Sequence, residues 1–132
     1  MRGYQNYARA RVDSAPPEDI LIMLLDGALD RLRQADEAMA AGNNKLWNKH
    51  LHVVRAVFIE LSMALDDSMP PAIARNLKAT YGWVVHHCIE AGRRGDRERL
   101  AEIDKVVHIV HETWVKAIAI QRGDAEPPEG TP

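Results

Sequence analysis

Cysteine is nearly absent: Cys88 stands alone among 132 residues, which excludes an internal disulfide framework and a four-cysteine zinc site. Neither sign of charge dominates. Lys+Arg 17 against Asp+Glu 19 leaves −2, so no global basic field favours nucleic acid or anionic lipid. Long apolar runs are missing as well. The longest, Ile20-Leu21-Ile22-Met23-Leu24-Leu25, falls far short of the ~20 residues that span a bilayer. Residues 1–15 are polar with scattered arginines and lack the apolar stretch of a signal peptide. Strand signals are lacking too, with no sustained apolar/polar alternation and no hairpin turn between β-branched runs. What is present, 46% hydrophobic and 27% charged residues, is ordinary globular composition. The expectation is one soluble cytoplasmic domain without membrane insertion, able to bury roughly two-thirds of its unfolded surface.

Proline and glycine punctuate the chain. Proline suits a first helical turn, where its missing N–H is not needed, so Pro16-Pro17 and Pro70-Pro71 each read as a helix start. Gly42 with Asn43-Asn44, and Gly92 and Gly95 around Arg93-Arg94, read as helix stops. Four helices follow, over about 17–41, 45–66, 71–92 and 96–121. Each carries an apolar stripe in alternating steps of three and four. The stripes are Leu21, Leu24, Ala28, Leu32, Ala35 and Met39, then Trp47, Leu51, Val54, Phe58, Leu61 and Leu65. The third runs Ile73, Leu77, Tyr81, Val84 and Cys88, and the fourth Leu100, Ile103, Val107, Val110, Trp114 and Ala117. Short connections favour antiparallel neighbours, so the fold class is all-α, an antiparallel four-helix bundle. Its domain organisation is an N-terminal extension over 1–15 packing on the bundle, the bundle itself over 16–122, and a disordered tail over 123–132 rich in proline, glycine and acids.

Six histidines raise metal and phosphotransfer chemistry, but their spacing does not favour either. His108 and His111 lie i, i+3 with Glu112 beside them, which is not the His-Glu-x-x-His metal motif. His50 and His52 diverge by about 200° on a helix and His86 and His87 by about 100°, so neither pair chelates naturally. No metal and no cofactor is expected, and the histidines read as solvated or hydrogen-bonded surface groups. His52-Val53-Val54-Arg55-Ala56 loosely echoes a histidine phosphotransfer signature, with Ala56 where glycine should open space beside the ring. This leaves a phosphotransfer module with His52 as acceptor as the alternative function. Cys88 lies on the apolar stripe and reads as a small buried hydrophobe rather than a nucleophile. No serine elbow and no phosphate-cradling glycine loop occurs, so no catalytic residue is expected.

Two features exceed what a bundle needs. The run 20–25 is apolar on every side of its helix, so that helix must be surrounded by the bundle or by a partner. Gly27, inside the same helix, costs about 1 kcal/mol relative to alanine, and the Gly27-Ala28 pair points to close approach by another backbone or a large side chain, through internal packing or a partner.

These residues carry a resemblance. Tyr7-Ala8-Arg9-Ala10-Arg11-Val12, Ser14-Ala15-Pro16-Pro17 and Leu24-Leu25-Asp26-Gly27-Ala28 are similar to the N-terminal half of the flagellar secretion chaperones of the FliS type. Collinear weaker matches follow at Leu61-Ser62-Met63-Ala64-Leu65-Asp66, at Ile73-Ala74-Arg75-Asn76-Leu77 with Tyr81, and at Glu112-Thr113-Trp114. The chain departs from the family pattern at Pro16, where serine is usual, and at Leu25, where an aromatic is usual. The resemblance implies a non-enzymatic cytosolic chaperone that holds the disordered C-terminal region of flagellin. Such a chaperone prevents premature polymerisation and keeps the client fit for type III export. It implies flagellin as partner, the flagellar export gate as a further contact, and a monomer or weak homodimer. On the family pattern Tyr4 and Tyr7 would lie in an N-terminal segment against a client groove, with Leu21, Leu24, Leu25, Gly27 and Ala28 forming part of its surroundings.

Overall fold

The computed structural model describes residues 17–66, 68–124 and 126. Four helices account for most of them: α1 (Pro17–Ala40), α2 (Asn44–Met63), α3 (Pro71–Arg94) and α4 (Arg97–Arg122). The expected N-terminal extension lies outside the described residues, as does most of the expected tail.

Each helix end has a local cause. Asn43 caps α2 by accepting from the Leu46 amide at 3.1 Å, and Asp96 caps α4 by accepting from the Arg99 amide at 3.1 Å. Pro70 caps α3 without a side-chain bond, and Pro71 fills the first turn. Gly42, Gly95 and Gly123 take positive φ of 70°, 60° and 79°, the left-handed geometry that ends a helix at little cost only for glycine.

The helices are antiparallel, and ties at their ends show it. Arg122 at the end of α4 reaches Glu18 and Asp19 at the start of α1, whereas Arg97 at the start of α4 reaches Asp36 near the end of α1. Trp47 near the start of α2 donates from Nε1 to the Gly92 carbonyl near the end of α3 at 3.1 Å. Neighbours in sequence pack together and α4 closes back on α1, giving a four-cornered bundle.

The core follows the expected stripes with four corrections. Ala28, Leu32, Ala35, Leu51, Val54, Phe58, Tyr81, Val84, Cys88, Leu100, Ile103 and Val107 are all essentially inaccessible. In α1, Leu25 is fully buried while Leu21 and Leu24 only lean on the core. In α3, Ile73 is 51% exposed. In α4, Ile118 takes the buried place expected for Ala117, which is exposed. Eighteen residues make five full turns, so Ile118 returns to the azimuth of Leu100, and a stripe kept to a seven-residue repeat drifts off it. The fourth concerns a histidine: His50, expected at the surface, is buried at 6% exposure.

Close helix approach occurs at the end of α3 rather than at Gly27. A Cβ on Gly92 would stand 2.8 Å from Asn48 Oδ1, and one on Gly95 would stand 2.9 Å from Trp47 Cζ2. A Cβ on Gly27 would meet nothing within 4 Å.

Candidate functional site

The apolar run that opens α1 divides its side chains between the core and two hollows. Leu25 goes inward and is buried completely. Ile20, Leu21 and Leu24 line a hollow of about 280 Å³ together with Leu61 and Leu65 from α2 and its following loop, and Tyr81 and Trp114 from α3 and α4. On the other flank, Ile22 and Met23 line a hollow of about 440 Å³ with Val115, Ile118 and Ala119 of α4. The first two turns of α1 thus present apolar surface on both sides of one helix. That is the all-round apolar character read from the sequence, placed in space.

Aromatic groups give the first hollow a stiff base. Trp114 Nε1 donates to the Tyr81 hydroxyl at 2.9 Å, and Phe58 meets the Tyr81 ring edge-on at a centroid distance of 5.5 Å. Tyr81 is 1% exposed, and burial raises its phenol above the ordinary value, with the Trp114 bond opposing. The second hollow is rimmed by charge: Arg122 donates to Glu18 at 3.0 Å and to Asp19 at 2.9 Å. A backbone hydrogen bond, and then the Arg122 bond, hold the Glu18 carboxyl below its usual range.

The residues predicted to meet a partner separate into three groups. Leu21 and Leu24 are half-buried on the wall of the first hollow. Leu25 and Ala28 are at 0% exposure in the core, so in this conformation they support the wall and offer no surface of their own. Gly27 faces outward, free of any internal neighbour. Tyr4 and Tyr7 lie outside the described residues. Sequence reasoning missed Tyr81, Leu61 and Trp114 as hollow-lining groups, because a helical stripe shows which residues face inward but not where the bundle stops covering them.

Several groups that could carry covalent chemistry are engaged elsewhere, while His52, exposed on α2, meets only Arg55 among the described residues, through Nδ1 at 2.9 Å. Burial pushes the Cys88 thiol up to about 12, against a smaller opposing effect of Arg55, so it is protonated and inert at neutral pH. Arg31 donates to His50 Nδ1 at 3.1 Å, tying α1 to α2. Burial first, then Arg31 and Lys49, hold His50 below the ordinary imidazole value. His87 stacks on Trp83 at a centroid distance of 4.1 Å and accepts from Arg99. Burial and then Arg99 lower it likewise. His111 Nε2 lies 2.7 Å from Asp26 Oδ1, bridging α4 to α1, and His108 Nδ1 lies 2.9 Å from the Asp104 carbonyl one turn back. Among the described residues no group of three or more His, Cys, Asp or Glu side chains is placed to hold a metal ion. Among the same residues no helix is long and apolar enough to cross a membrane.

Known proteins share this pattern. The family model described as flagellar protein FliS matches residues 1–121. A flagellar secretion chaperone FliS from Vibrio cholerae is 30% identical over 119 residues, covering 86% of this chain and 88% of the relative. The Bacillus subtilis flagellar secretion chaperone FliS is 25% identical, with 92% of this chain and 90% of the relative covered. A solved structure described as a flagellar chaperone from bacteria superposes with a TM-score of 0.72 at 15% identity. That superposition covers 89% of this chain and 96% of the other, a likeness of fold.

Proposed function

Because the chain belongs to the flagellar protein FliS family, we propose that it is a cytoplasmic flagellar secretion chaperone whose client is the C-terminal region of flagellin. The observation that carries the reading is the start of α1, where a continuous apolar run lies between two apolar-walled hollows. A helix-forming segment laid along α1 would bury Leu21, Leu24, Ile22 and Met23 on opposite sides, in the mode by which grooves take amphipathic helices. A disordered client loses several kcal/mol in ordering, and wide apolar contact offsets that loss. Holding the segment in this way keeps it from its filament partners and leaves it unfolded enough for type III export.

Gly27 adds to this reading. Its outward face carries no side chain and no internal neighbour, so a client backbone can come close to α1 one turn beyond Met23. Tyr4 and Tyr7 suit the rim of such a site, since tyrosine supplies a large contact area at low rotamer cost. The role is binding, with no bond made or broken, and the export gate is a second contact for the loaded complex.

Mixing the purified chain with monomeric flagellin tests the proposal. The expected result is a stoichiometric complex on size exclusion and suppression of seeded flagellin polymerisation followed by light scattering. Polymerisation at an unchanged rate in the presence of excess chain would overturn it.

A further inference from the structure

The first hollow lies at the end of the bundle where α1 and α3 begin and α2 and α4 finish, and there α3 differs from its own second half. From Tyr81 onward its turns bury Tyr81, Val84, Cys88 and Ala91 in succession. Over 71–80 no residue is fully buried. Ile73 and Leu77 continue the same stripe in steps of four, yet Ile73 is 51% exposed and Leu77 only leans on the core. The hollow runs beside this stretch. Met69 and Tyr81, at either side of it, line the wall, and no residue of 71–80 does. Apolar side chains of the right kind to fill the hollow therefore stand next to it and outside it.

Little holds the stretch in place. Pro70 gives it no side-chain cap and its first turn has no acid, whereas Asn43 and Asp96 cap α2 and α4. Among the described residues no side-chain hydrogen bond or ion pair joins 71–80 to another helix, and Thr80 bonds back to the Asn76 carbonyl of its own helix. The first turn of α1, at the same end, is tied by Arg122. Within α3, the helical bonds that join the stretch to the rest run from the amides of 81–84 to the carbonyls of 77–80. Gly82 sits among them, and glycine is the least favourable residue of a helix interior after proline. Gly92 of the same helix is explained by Asn48 pressing against it, but a Cβ on Gly82 would meet nothing within 4 Å. What an unpacked interior glycine permits is a bend. Tyr81, held by Trp114 and by the Phe58 ring, fixes the base of that bend.

We propose that residues 71–80 are a flap on a hinge at Gly82, which closes by turning Ile73 and Leu77 into the first hollow. The straight α3 is its open position. Closure covers apolar surface on the flap and in the hollow together and bends one helix where it is weakest. This goes beyond the client reading and concerns the free chain, so its failure leaves that reading standing.

A distance measurement between two spin labels on the free full-length chain tests it. Asn76→Cys on the flap and Lys116→Cys on α4 place the labels at exposed positions, and the one native thiol, Cys88, is buried and stays unlabelled. Two distances are expected, a longer open one and a shorter closed one. Gly82→Ala should lower the closed-to-open ratio about fivefold, which is ~1 kcal/mol of helix propensity at about 1.4 kcal/mol per factor of ten. Ile73→Asp, whose charge closure would bury unpaired, should lower it more than tenfold, while Ile73→Leu should keep the closed population. Circular dichroism checks the fold of each variant; if Ile73→Asp does not fold, Gly82→Ala decides alone. A single distance in the parent chain, or two whose ratio neither Gly82→Ala nor Ile73→Asp moves, would overturn the flap. So would a shorter distance that grows with protein concentration, which would place it between two copies.

Discussion

Gly27 lies inside α1 and Gly95 ends α3, and their substitutions should act in opposite directions. Gly27 has ordinary helical backbone and open space where a Cβ would go, so Gly27→Ala should stabilise the free chain by about 1 kcal/mol in denaturant melts. If its bare face admits the client backbone, Gly27→Leu should weaken client binding while leaving the melt intact. Gly95 has φ of 60° and Trp47 2.9 Å from an added Cβ, so Gly95→Ala should destabilise by about 2 kcal/mol. The sequence separates the stop at Gly95 from the helix-interior Gly27, but only the neighbours show that the close approach is at Gly95 and the open space at Gly27. His50 and His87 make a pH prediction. Their folded values lie below the ordinary 6.5, so the unfolded chain binds protons more readily as pH falls through that value. Stability is therefore fully present above about pH 6.5 and declines below it. A His50→Gln, His87→Gln variant should flatten the Tm-against-pH curve there; an unchanged slope would contradict the assignment.

At the scale of the element, proline pairs, capping residues and apolar stripes specify four helices, and the boundaries move for local reasons. α2 ends at Met63 rather than about 66, because Asp66 turns back to accept from the Ser68 amide at 2.9 Å. Leu65 therefore reaches the first hollow from a loop, as no stripe could indicate. α3 runs past Gly92 to Arg94, since Gly92 serves close packing against Asn48 and the stop is Gly95. The candidate site was legible only as an excess, the apolar run 20–25, because composition shows that surface must be covered but not by what. Trp114 links element and site. It is half-buried, bonded to Tyr81 and part of the hollow wall, so Trp114→Ala should cost about 2 kcal/mol, less than a core tryptophan. Trp114→Phe should cost about 1 kcal/mol, chiefly the bond to the buried hydroxyl. A melt that does not move in either variant would detach α4 from this account of the site.

Over its described residues the molecule is a bundle whose interior packs aliphatic side chains around Phe58 and Tyr81, with an end where α1 offers apolar walls on two flanks. Such a shape suits the proposed role: the core holds the scaffold, and the apolar walls would receive a segment that has no fold of its own. The near-neutral net charge of −2 puts recognition in local contacts rather than in a long-range field, so client affinity should change little between low and physiological salt. Whether the C-terminal region of flagellin is the client is decided by the affinity of the intact chain for flagellin with and without that region, by calorimetry at several temperatures. Intact flagellin should bind tightly with a negative heat-capacity change, as apolar burial requires, and binding should vanish once the C-terminal region is removed. Equal binding of both forms would contradict it.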